Sequence, residues 1–216
     1  QIELGKDRTQ LTKKVLIRAL KIYSVGIFLW LWPDFNFDEI RWVGVLPRIA
    51  FVFLGCALLF LYTSRKAQLY IGIIILLFYW IIMAYIPVPG IGIPDLSVPE
   101  KNWAHYIDKL LLPGRLWQQT WDPEGILSTL PSIASGIMGM ISGYILLKKD
   151  ELGVKINQLF FFGFLLLFLG DLMQWVFPLN KNLWSSSFSL LMGGITAISL
   201  ASSIYIFDLK KTNYKF

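Results

Sequence analysis

Residues 155–177 read KINQLFFFGFLLLFLGDLMQWVF, and this stretch decides the fold. From Leu159 to Gly170 it contains no polar side chain, and its apolar residues run on without alternating. Crossing roughly 30 Å of hydrocarbon takes a helix of about 20 mainly apolar residues, whereas a barrel strand would alternate. Five further stretches behave the same way. The six expected spans are residues 15–32, 43–62, 67–86, 124–147, 155–177 and 185–206. The chain as a whole agrees. Of its 216 residues, 56% are hydrophobic and only 16% charged, against about 25% charged in a soluble domain. Mean hydropathy is +0.59. The expected fold is therefore all-α, a polytopic transmembrane helix bundle forming a single domain over residues 1–216. One cysteine, Cys56, and one histidine, His105, exclude an intrachain disulfide and a Cys/His zinc site.

Basic residues orient the spans. Fourteen of the 20 flank one set of span ends: Lys6, Arg8, Lys13, Lys14, Arg18, Lys21, Arg65, Lys66, Lys148, Lys149, Lys155, Lys210, Lys211 and Lys215. Arg41, Lys101, Lys109, Arg115 and Lys181 flank the other, and Arg48 stands inside the second span. The richer side is expected to be cytoplasmic. That makes the chain a multi-pass protein of the cell (inner) membrane with both ends of this segment inside. Trp30, Trp32, Trp42, Trp175 and Trp184 fall at the outer ends, as an aromatic belt does. The net charge of +6 is then a flank effect. The expected partner is the lipid bilayer and not nucleic acid, and the pattern is compatible with a homo-oligomer.

The outer loop, residues 88–122, is too long for a simple helix hairpin. Ser97 and Glu100 read as a capping box. Trp103, Tyr106, Ile107 and Leu110 recur at helical spacing, and Pro113-Gly114 stops the pattern. This predicts an amphipathic helix on the outer surface, with His105 and Asp108 on its polar, solvated side. Asp122-Pro123-Glu124 reads as an N-cap, a proline at the first helical position and an acid in the first turn. Compatible with that first reading is a second, a carboxylate facing a polar cavity that binds a cation or acts as a base. Arg48 is costly inside a span: either Pro47 opens the helix and Arg48, in its first turn, reaches headgroups, or Asp171, the one acid deep in a span, pairs with it. Pro131 predicts a kink, and Gly139 with Gly143 predicts close helix packing. Asn180, Lys181, Asn182 and Trp184, followed by a Ser185 cap, suit a polar sugar: amides to bond hydroxyls and a ring to stack.

Four elements together resemble a known family. They are Gly44-Val45-Leu46-Pro47-Arg48-Ile49, Tyr106-Ile107-Asp108-Lys109-Leu110-Leu111-Leu112, Asp122-Pro123-Glu124-Gly125-Ile126-Leu127-Ser128-Thr129-Leu130-Pro131, and Asn180-Lys181-Asn182-Leu183-Trp184-Ser185. In order and spacing they resemble heparan-α-glucosaminide N-acetyltransferase and its bacterial membrane relatives, with Pro47 in place of the more usual Gln. The resemblance implies transfer of acetyl from acetyl-CoA, a co-substrate and not a bound cofactor, to an amino sugar or envelope glycan. Bacterial relatives labelled as amino-sugar transport proteins make an inner-membrane transporter component the alternative; a membrane scaffold without chemistry comes third. The resemblance also implies that this is the middle of a longer chain, with further spans on both sides, and that alone it is inactive. The family's catalytic His and Asn belong to the preceding part, so the catalytic residues here are unknown. The substrate-binding candidates are Arg48, Asp122, Glu124, Asp171, Asn180, Lys181, Asn182 and Trp184; no metal is expected.

Overall fold

A computed structural model describes residues 7–210; Lys6, Lys211 and Lys215 lie outside them. Within that range the chain folds into seven α-helices. They are α1 Arg8–Leu31, α2 Val45–Tyr62, α3 Arg65–Tyr85, α4 Trp103–Leu111, α5 Thr129–Leu146, α6 Leu152–Gln174 and α7 Ser186–Ile204. A wider π turn, Tyr205–Leu209, continues α7. Five helices, α2, α3, α5, α6 and α7, are long and apolar enough to cross a membrane. The sixth expected span corresponds to α1, which has 24 residues but carries Lys14, Arg18 and Lys21 along its first two thirds.

The six long helices alternate in direction. One end of the bundle therefore holds α4 and the long connections, and the opposite, basic end holds short turns. α5 packs against α2, α3, α6 and α7, while α6 and α7 share the most extensive contact. That contact depends on small residues. A Cβ on Gly194 would stand 2.6 Å from the Gly163 carbonyl oxygen, and one on Gly170 would stand 2.7 Å from the Leu191 nitrogen. Backbones this close admit no side chain. The Gly139/Gly143 face behaves otherwise. A Cβ at either position meets nothing within 4 Å, so the expected packing motif lines an open groove instead. Pro131 also differs from expectation. α5 starts at Thr129, which puts the proline in the first turn, where its missing N–H has no intrahelical partner to lose.

Large apolar side chains face outward, among them Phe161, Phe164 and Trp175, as lipid contact requires. The interior holds three apolar clusters in depth. Ile145, Ile156, Leu159 and Ala201 lie at the basic end, and Leu76, Ala134, Met138 and Leu166 lie between the ends. Tyr79, Met83, Leu127, Phe177 and Leu183 lie beneath α4, which adds its own Ala104.

α4 corrects the surface-helix reading in two ways. Its N-cap is Asn102, whose side chain accepts from the His105 N–H at 3.1 Å. Ser97 instead donates to Asp95, and Glu100 accepts from Thr120, so there is no capping box. Its buried face is Ala104, His105 and Asp108, while Leu110 and Leu111 are exposed. The helix turns its polar stripe inward.

Candidate functional site

The sequence leaves Arg41 as one outer-flank cation among five, but the α4 end is built around it. Residues 40–41 lie against residues 114–115 through an Arg115 N–H to Ile40 carbonyl bond of 3.1 Å. Gly114 permits this approach: its φ is +82°, and a Cβ would fall 2.3 Å from the Ile40 oxygen. The Arg41 side chain then points inward. Its Nε donates to Asp122 Oδ2 at 2.7 Å and its Nη2 to Asp122 Oδ1 at 2.6 Å, a two-pronged pair. Nη2 also donates to Glu124 Oε2 at 2.5 Å. Trp117 and Trp30 cover the guanidinium, their ring centres 4.9 and 5.6 Å from it. Burial by itself would lower the arginine's pKa; the hydrogen bonds and charges of Asp122 and Glu124 outweigh burial and leave it raised.

Asp122 is not a helix cap, because α5 begins seven residues later. It caps its own loop, accepting from the Trp117 N–H at 3.0 Å and the Glu124 N–H at 2.9 Å. With Arg41 that occupies both of its oxygens. Glu124 keeps Oε1 for a further donor, and its side chain is 20% exposed.

Arg48 stands in the first turn of α2, as a helix opened by Pro47 has it, but it is buried and does not reach headgroups. Its partners come from the 123–128 loop: Nη2 donates to the Pro123 carbonyl at 2.5 Å and to the Ser128 hydroxyl. Its guanidinium lies 5.1 Å from the centre of a Trp184 ring. Its Nε is buried without a hydrogen-bond partner. The expected partner, Asp171, is elsewhere: it is exposed on α6 and accepts from Gln174. The Arg48–Asp171 pair therefore does not form, because the loop carbonyl and hydroxyl reach Arg48 first.

The 180–185 loop is held from within. Asn180 Oδ1 accepts from the Asn182 and Leu183 N–H groups at 2.9 and 3.1 Å. Ser185 Oγ accepts from the Asn180 N–H at 3.0 Å and caps α7 as expected. Trp184, at φ +51°, donates its ring N–H to Ser135 Oγ at 3.2 Å. Its ring thus already packs against Arg48 on this side. Lys181 and Asn182 are exposed.

Asn180, Asn182 and Asp122 share a small polar cavity of about 150 Å³ with Asn102 and His105. His105 is 8% exposed and its Nδ1 has no partner, contrary to a solvated surface histidine. Asp108, 1% exposed, supports the neighbouring loop by accepting from the Ile126 N–H at 2.8 Å; its Oδ2 is unpartnered. So of the expected residues Arg48, Asp122, Glu124, Asn180, Asn182 and Trp184 gather at the α4 end. Lys181 stays at its rim and Asp171 stays apart. Arg41, Asn102, Asp108 and Ser128 were not foreseen. The sequence signals for Asp108 are its i+3 spacing from His105, which marks a single polar stripe, and its place in the Tyr106–Leu112 element of the resemblance, as Ser128 has its place in the Asp122–Pro131 element.

Burial pushes the Asp108 carboxyl up to about 7; the Ile126 N–H opposes the rise, Asp122 adds to it and Arg48 counters it. An unfolded aspartate titrates near about 3.9. The folded chain therefore holds the extra proton between those values. This group's contribution to stability is full below about pH 4 and is lost as pH rises toward about 7. Thermal unfolding at pH 5 and pH 8 should show a drop in the wild type that Asp108→Asn largely removes. An identical drop in the variant would exclude Asp108 as its source.

No family model matches the chain. It is similar to heparan-alpha-glucosaminide N-acetyltransferase of Mus musculus, 25% identical over an alignment 243 positions long that covers 87% of this chain and 37% of that protein. It is also similar to the enzyme of the same name from Homo sapiens, 24% identical over 264, covering 97% of this chain and 40% of that protein. The chain thus spans about two fifths of the length of these curated relatives, and the matches support a distant relationship to that family.

Proposed function

We propose that the chain is the acceptor-binding portion of a transmembrane N-acetyltransferase, which moves acetyl from acetyl-CoA to the amine of an amino sugar or envelope glycan. Two observations carry the reading together. A distant likeness to two N-acetyltransferases runs along nearly the whole chain, and the segments 41–48, 122–128 and 180–185 converge in a buried polar cluster at the α4 end. Both relatives are acetyltransferases by name, and nothing observed favours a transporter.

The chemistry needs the sugar ammonium to lose a proton to a base of the full protein, so that the free amine can attack the thioester carbonyl. The carbon–sulfur bond then breaks, and the coenzyme leaves as a thiol after taking a proton. The cluster divides the binding work. Asp122 is saturated by four donors and holds the site together. Glu124 has an oxygen to spare and is the carboxylate that meets the sugar ammonium. Asn180 and Asn182 keep their side-chain amide donors for hydroxyls. Trp184 serves as the wall behind Arg48 more than as a free stacking platform.

The test uses the full natural protein in vesicles with labelled acetyl-CoA and glucosamine. Labelled N-acetylglucosamine is expected. Glu124→Gln should raise the KM for glucosamine tenfold or more and leave that for acetyl-CoA unchanged. Absence of transfer by the full protein would reject the reading.

A further inference from the structure

At the basic end, remote from α4, a cleft of about 820 Å³ opens between α1, α2, the α2–α3 turn and the end of α5. Lys14 and Arg18 of α1 and Arg65 of α3 line it, and no carboxylate does. None of the three cations has an ion-pair partner among the described residues. The rest of the wall is apolar and aromatic, with Phe53, Phe60 and Tyr144 prominent. The cations are positioned by these rings: Arg18 lies 5.0 Å from the Phe53 ring centre and Arg65 lies 4.5 Å from that of Tyr144.

The platform under Arg65 is fixed. The Tyr144 hydroxyl donates at 2.8 Å to Oε1 of Gln68, which is 1% exposed. Gln68 Nε2 in turn donates to the carbonyls of Leu59 and Thr63 at 3.1 and 3.2 Å, locking the α2–α3 turn. Phe60 stacks parallel to Tyr144, centres 5.9 Å apart. A guanidinium laid flat on a ring keeps its N–H edge for a ligand. Three like charges in one cleft repel each other, and an anion between them removes that cost.

We propose that this cleft binds a phosphate-bearing amphiphile, its phosphate held by Arg18 and Arg65 and its stem laid along Phe53 and Phe60. Two molecules share that chemistry. One is an anionic phospholipid; the other is a coenzyme A thioester, and that source rests on the function proposed above.

The experiment uses the full natural protein in nanodiscs of phosphatidylcholine. The probes are coenzyme A in solution and, separately, phosphatidylglycerol mixed into the disc, with binding read by native mass spectrometry. At least one probe should bind. Arg18→Gln with Arg65→Gln should weaken it tenfold or more, and the two arginine-to-lysine changes should recover part of the loss. Lys148→Gln with Lys149→Gln, at the same end but outside the cleft, should change binding less than twofold. Binding of coenzyme A in pure phosphatidylcholine identifies the nucleotide source; binding of phosphatidylglycerol alone identifies the lipid. If both bind they must compete. Binding of neither probe, or equal losses in the two glutamine pairs, overturns the site. Wild-type acetyl transfer is followed in parallel. Transfer with an unchanged KM for acetyl-CoA in the Arg18→Gln/Arg65→Gln protein overturns the coenzyme source and leaves the proposed function standing.

Discussion

Arg41→Ala should destabilise the chain by about 3–5 kcal/mol, the usual cost of leaving a buried charge without its partner. The Asp122 side chain has no exposure and that of Glu124 has 20%, so the two carboxylates would be left facing each other in a poorly hydrated site. Trp30 and Trp117, which meet edge to face, would each lose the cation they cover as well. Arg41→Lys should fall in between, because a lysine keeps the charge but cannot span both Asp122 oxygens. The internal control is Arg115→Ala. That residue pairs with Glu39 at 2.8 Å, but the partners are 45% and 59% exposed, so the loss should stay below about 1 kcal/mol. Denaturant unfolding in detergent, followed by tryptophan fluorescence, measures both. Equal losses at Arg41 and Arg115 would mean that the Arg41 cluster is solvated and carries no structural role.

The sequence made the long helices plain for a simple reason. Hydrocarbon tolerates no polar run, so the apolar stretches of α2, α3, α5, α6 and α7 have one physical reading. The ends of the helices were less legible. The capping pattern at Asp122 fits a helix start, but Arg41, 81 residues away, claims the carboxylate first and α5 waits until Thr129. Distant partners of this kind leave no local trace. α4 shows the same limit on a smaller scale. Its period is helical, but the period does not say which stripe faces inward. The polar stripe goes in because Asp108 finds the Ile126 N–H, 18 residues downstream. Arg48 could be recognised as unusual, since an arginine inside a span needs partners. The partners turned out to be a carbonyl, a hydroxyl and a ring, which no charge pattern encodes.

Glycines give the sharpest contrast between pattern and packing. Gly139 and Gly143 have the expected spacing for helix contact and open space where a Cβ would stand; Gly125, in the middle of an acidic loop motif, has no room at all. A Cβ there would fall 1.8 Å from Asp108 Oδ2 and 2.5 Å from its Cγ. Neither side can retreat, since Asp108 is 1% exposed and its Oδ1 is tied to the next residue's N–H, that of Ile126. Gly125→Ala should therefore push α4 away from the 123–128 loop at a cost of about 3 kcal/mol or more, at the upper end for overpacking. Asp108→Ala alone orphans the Ile126 N–H, costing about 1–3 kcal/mol, but it also empties the space that the new methyl needs. The double variant should accordingly be more stable than the two single losses summed, by about 2 kcal/mol of favourable coupling. Gly139→Ala should be neutral or stabilise by up to about 1 kcal/mol, since alanine is the better helix former and nothing stands in its way. A Gly125→Ala chain as stable as wild type, or a double variant whose losses simply add, would separate α4 from the loop. The inward-facing His105 and Asp108, and the cavity beside Asp122, would then have to be abandoned together.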